Sequence, residues 1–212
     1  MADCEEDPNS LVLDFTAKGL KIVEIPNDIQ PTGLICDRND IAKIENLDNH
    51  PYLKQVSLAC NHIVRMNGIS VLKHLNVLNL ATNSIVNIEG LEELSELSWL
   101  DLSGNSIKNF SPLCKNTQLH HVDLSDNSIA CITDLSPLTH LQTLLLHGNT
   151  ISSLKTVPSY LPRQLSVLSL ESNEIQDLNE ISYLSCLENL DQLSIARNPC
   201  VILTSLYPFK VV

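Results

Sequence analysis

Three histidines, one tryptophan and two aspartates carry whatever chemistry this chain can do. His120, His121 and His147 come first, because imidazole titrates nearest neutral pH and is the commonest metal ligand. In the repeat frame set out below, His121 and His147 lie on adjacent strands, offset by roughly four residues or ~13 Å. That is too far to share one ion, and all three read as exposed polar residues. Asp123 and Asp126 flank a turn and read as solvated charges. The seven cysteines form no C-x-x-C pair, so a zinc site has no support. No phosphate-cradling glycine loop, G-x-S-x-G elbow or H-E-x-x-H phrase occurs. No catalytic residue, metal or cofactor is therefore expected, and the chain reads as a non-enzyme. The remaining chemistry is recognition: Trp99 is the only tryptophan, and Asp101 and Asp123 stand near it in the frame.

The frame comes from a phrase that recurs around one asparagine, as in LNVLNLATNSIVNIEGL around Asn83. Aliphatic residues stand eight, five and three places before it (Leu75, Leu78, Leu80), and two, five and eight after it (Ile85, Ile88, Leu91). The same frame fits Asn39, Asn61, Asn105, Asn127, Asn149, Asn173 and Asn198, in steps of 22 that lengthen to 24 and 25 at the end. L-x-L alternation places both leucines on one face of a short strand. The asparagine side chain bonds backbone groups in the turn that follows and tolerates its unusual dihedrals. Stacking buries those groups, so they must be satisfied. The I-x-x-I-x-x-L return has a period of three, which suits 3₁₀ or short helical segments. One such unit cannot bury its leucines alone, whereas stacked units share a continuous core. The expected fold is an α/β solenoid: a leucine-rich-repeat array with a parallel concave β-sheet and short 3₁₀ or helical convex segments.

This frame sends alternate strand residues to the concave face. Six places before the anchors stand Val77, Trp99 and His121; four before stand Asn79, Asp101, Asp123 and Leu145; two before stands His147. An aromatic ringed by polar groups has the composition of an interface hot spot. These eight residues are the candidate partner-binding face, with the carboxylates selecting a basic segment. The competing reading is a tryptophan lying flat on neighbouring strands for packing alone.

A net charge of −12 argues against nucleic acid and anionic membrane as partners and favours a basic protein surface. Scattered cysteines without clustered caps suit a reducing, cytoplasmic setting. The acidic start, MADCEEDPNS, is not a signal peptide. No apolar run approaches membrane-spanning length.

Residues 1–10 read as an acidic disordered tail and 11–30 as an N-terminal capping repeat, in which Leu13, Phe15, Leu20 and Val23 fit the frame if Lys18 replaces the asparagine. Residues 31–206 read as the repeat domain, and 207–212 as a truncated C-terminal end. Between Asn149 and Asn173, TVPSYLPRQL carries Pro158 and Pro162, which forbid a regular helix across the span. That insertion is either a docking feature carrying Tyr160 and Arg163 or a tolerated loop. After Asn198 no polar cap is visible. Ile195, Val201 and Leu203 should form an exposed edge, and the chain reads as a fragment or truncated form of something longer.

The spacing, the N-x-I turn and the period-three return resemble the SDS22-like class of leucine-rich repeats, which includes a regulator of protein phosphatase 1. Closer phrases, among them VRMNGI, VLNLATNSI, NIEGL, HVDLSDNSI, LLLHGN, SYLPR, NEIQDLNEIS and QLSIARNPC, resemble a centriolar scaffold family over roughly residues 11–200. That resemblance implies a protein-interaction scaffold at the distal end of the centriole. It implies a coiled-coil centriolar cap partner, with which the family restrains microtubule extension and suppresses cilium assembly. The family's calmodulin-binding motif and its main cap-partner region lie beyond the repeats and are missing here. The alternative is an SDS22-like regulatory subunit that presents the same face to a protein phosphatase catalytic subunit.

Overall fold

The computed structural model describes residues 11–201. The acidic tail, the residues after Val201, Leu203 and Cys4 lie outside them. Among the described residues, nine three-residue strands form one parallel sheet in chain order. They are β1 (Val12–Asp14), β2 (Gly33–Ile35), β3 (Gln55–Ser57), β4 (Val77–Asn79), β5 (Trp99–Asp101), β6 (His121–Asp123), β7 (Thr143–Leu145), β8 (Val167–Ser169) and β9 (Gln192–Ser194). The register follows the repeat frame, with Leu78 paired to Leu100, Leu100 to Val122 and Val122 to Leu144. The middle residue of each strand from β2 to β8 is buried. Each such aliphatic side chain contributes roughly 1.5–3 kcal/mol by leaving water. β1 takes its place beside β2 through Leu13 and Leu34. Leu20 N–H donates to the Asn39 side chain as Ile41 N–H does to Asn61, so the turn after β1 bonds to the next repeat in the way the later turns do.

The asparagines act between repeats. Asn127 Nδ2 donates to the carbonyls of Leu124 and Ser125 in its own turn and to Leu102 in the preceding repeat, while its Oδ1 accepts Ile107 N–H. The same pattern recurs at Asn61 and Asn149. The unusual dihedral belongs to a different residue. In every repeat the residue before the anchor is left-handed: Arg38, Cys60, Thr82, Gly104, Asp126, Gly148, Ser172 and Arg197 have φ between 52° and 66°. The asparagine is therefore the hydrogen-bonding part of the turn, and its predecessor bears the conformational cost.

The convex returns are less helical than a period of three suggests. Continuous 3₁₀ segments occur at Ile69–Val71, Ser111–Lys115 and Leu178–Cys186. Elsewhere the return is a chain of separate turns, as in Leu94 N–H to Leu91 and Leu97 N–H to Leu94. One inward residue in three is buried (Ile85, Ile88, Leu91, Leu94, Leu97), and such turns bury it without a closed helix. The two prolines do not exclude a helix altogether. A single turn, α1 (Val157–Tyr160), places Pro158 in its first turn, where no N–H is needed. It stops at Leu161, which Pro162 holds extended. Tyr160 packs on the core and its carbonyl accepts Leu135 N–H, which is a structural role.

At the last strand Leu193 is 41% exposed, and Ile195 and Val201 are partly buried. The described cysteines are all free. Cys36 is fully buried, and burial pushes its thiol up to about 12. No helix among the described residues is long and apolar enough to cross a membrane.

Candidate functional site

Strands β4 to β6 place Val77, Trp99 and His121 in one cross-strand row of the concave face, with Asn79, Asp101 and Asp123 in the next row. Leu145 continues that second row on β7. His147 lies two residues past Leu145, in a third row, apart from the aromatic pair. The aromatic row is organised by contact. The Trp99 and His121 rings stack with centroids 5.2 Å apart and planes 6° from parallel. Both are half-buried. On the other side of Trp99, Gln55, Val56, Ser57, Val77 and Asn79 complete a shallow cleft of about 370 Å³. Trp99 thus packs flat on one neighbour while also lining an open cleft.

The polar row has a role of its own. Asp101 Oδ1 accepts Ser103 N–H at 2.8 Å. Asp123 Oδ1 accepts Ser125 N–H and the Ser125 hydroxyl. Asn79 Oδ1 accepts Ala81 N–H in the same way. These side chains close the turn two residues on, and each aspartate has a second carboxylate oxygen besides. Asp101 and Asp123 face each other across adjacent parallel strands. Like charges so placed repel, and an incoming cation would relieve that repulsion. Among the described residues neither takes part in an ion pair. Burial against its neighbours lowers the His121 pKa, outweighing the Asp123 and Asp101 carboxylates that raise it. The ring is thereby biased to the neutral form that stacks on indole.

No group of three or more His, Cys, Asp or Glu side chains among the described residues is arranged to hold a metal ion. What the arrangement offers is an aromatic platform beside two carboxylates, suited to recognition.

Sequence reasoning missed several placed polar groups. Glu180 is buried on the convex side, where its carboxylate accepts Leu154 N–H at 2.7 Å and the Ser153 hydroxyl at 3.1 Å. Asn116, fully buried, donates to Leu91 and Leu94 carbonyls of the preceding repeat. Neither falls on the repeating asparagine column, so periodicity held no signal for them.

Comparison with known proteins agrees with this architecture. Residues 98–207 match one leucine-rich-repeat family and residues 51–107 a second. The chain belongs to the leucine-rich-repeat family, whose open sheet face points to protein interaction. It is also homologous to centrosomal protein of 97 kDa. The mouse protein is 60% identical over 58 residues, the human 59% over 58, and the Xenopus laevis protein 49% over 57. Each match covers 27% of this chain and only 7% of the relative. Among solved structures, an internalin C2 of Listeria monocytogenes aligns with TM-score 0.71 at 29% identity, covering 78% of this chain and 71% of that one. A leucine-rich-repeat protein of Leptospira interrogans aligns with TM-score 0.74 at 26% identity, covering 84% and 47%.

Proposed function

We propose that this chain is the docking module of a non-enzymatic centriolar scaffold and that its concave face binds a protein partner. Trp99 anchors the partner, and Asp101 and Asp123 select a basic segment. Val77, Asn79, His121, Leu145 and His147 frame the contact. The observation that carries this is the Trp99–His121 stack, which holds an indole rigid at the edge of an open cleft. A preorganised aromatic costs little entropy on binding. Likeness to centrosomal protein of 97 kDa supports a place at the centrosome within the cytoplasm. In this reading the partner system is the coiled-coil centriolar cap, and the output is suppression of cilium assembly. Calmodulin binding would belong to segments outside the repeats.

The test is affinity purification of the tagged chain from ciliated cells, imaging of its position, and a Kd measured on the recovered partner. Trp99→Ala should weaken binding by at least about 2 kcal/mol. It should cost the fold about 0.5–1.5 kcal/mol from the lost stack plus the burial of a half-exposed side chain, and leave the chain folded. Asp101→Asn isolates charge, because Asn79 makes the same turn bond one repeat earlier. It should slow association and reduce its salt dependence. A Trp99→Ala chain that binds as well as the parent refutes the reading. Recovery of a phosphatase catalytic subunit in place of centriolar proteins would favour the regulatory-subunit alternative.

A further inference from the structure

Away from the concave stack, on the flank that leads into β6 and β7, two imidazoles share one support. His120 Nδ1 lies 2.7 Å from the Gln118 carbonyl, and His140 Nδ1 lies 3.1 Å from the carbonyl of the adjacent residue, Thr117. A carbonyl can only accept, so both Nδ1 atoms carry the proton and both neutral rings keep their lone pair at Nε2. The rings are anchored by consecutive peptide groups and their Nε2 edges turn away from that support. Ring centroids are 5.5 Å apart with planes 31° from parallel. Two imidazoles on one tetrahedral ion, with metal–nitrogen bonds of about 2.0–2.1 Å, have ring centres roughly 5–5.5 Å apart. Both side chains are exposed. A ring N–H given to a backbone carbonyl is also the usual outer-shell partner of a metal-bound histidine, fixing tautomer and orientation.

We propose that His120 and His140 form a two-imidazole seat for one Zn²⁺ ion, each binding through Nε2, with the remaining positions open to water or a partner's side chain. Repeat spacing does not reveal this pair. His120 stands seven places before Asn127 and His140 nine before Asn149, so the two occupy different columns of the frame. They meet only because adjacent repeats stack. The negative charge of the chain favours cation approach. With two protein ligands the site is open, unlike a closed structural zinc site.

The test is a Zn²⁺ titration of the full chain followed by imidazole ¹⁵N chemical shifts. The Nε2 signals of His120 and His140 should shift together along one saturation curve. His120→Gln should raise the half-saturation concentration at His140 at least roughly tenfold, and His140→Gln should do the same at His120. Circular dichroism of both variants should match the parent, since both side chains are exposed. Separate saturation curves for the two rings would overturn the proposal. So would a zinc response confined to the exposed Cys60 and Cys131, or a variant that leaves the other histidine's titration unchanged.

Discussion

Asn127→Ala is the sharpest test of how the repeats hold one another. The wild-type amide contacts three carbonyls and one N–H. The carbonyls are not orphaned by its loss. Leu102 still accepts Asn105, Leu124 still accepts Asn149, and Ser125 still accepts Gly104 N–H. Among the described residues Ile107 N–H has no second acceptor, and its residue is fully buried. The expected cost is therefore one unsatisfied buried donor, about 1–3 kcal/mol, plus small losses at the carbonyls. The residue sits mid-array, so the loss falls on the interface between two repeats and weakens their coupling. Urea unfolding should show a lower midpoint, with a lower apparent m if the halves begin to melt separately. Hydrogen exchange should accelerate at the Ile107 amide, one repeat away from the substitution. An unchanged midpoint, or an Ile107 amide as protected as before, would refute the inter-repeat role.

Other outcomes follow from single positions. Gly68 has φ +96°, and an added Cβ would run into the Ile44 carbonyl oxygen; Gly68→Ala should cost at least about 2 kcal/mol, from the left-handed backbone penalty plus backbone displacement, measured by urea midpoint. His121 has a folded pKa below its ordinary 6.5, so between those two values the unfolded chain binds more protons. Its contribution to stability is complete above pH 6.5 and is lost as pH falls through the folded value. His121→Gln should remove that acid-side slope in stability measured against pH. Cys36, buried with a thiol pushed up to about 12, should resist iodoacetamide in the native chain, while exposed Cys60 and Cys131 are alkylated, as read by peptide mass spectrometry.

The array, its core and its strand register were legible in the amino-acid sequence. Each strand pairs with the strand about one repeat away, so aligning asparagines also aligns Leu78 with Leu100 and Leu100 with Val122. Alternation along a strand then decides that Trp99 and Asp101 share the concave face and Leu100 does not. Three-dimensional packing decided what lies outside that one-dimensional code. Whether Trp99 lies against His121 depends on side-chain rotamers across a strand pair, which period cannot specify. The aspartates close their own turns, a local geometry that charge alone does not announce. Glu180 reaches Leu154 across the lengthened repeat, and Asn116 reaches Leu91, because the returns depart from strict repetition there. His120 and His140 belong to different columns and become neighbours only through the stacking of two turns. Repetition encodes what every unit does alike. Contacts made by one pair of units alone depend on their three-dimensional packing.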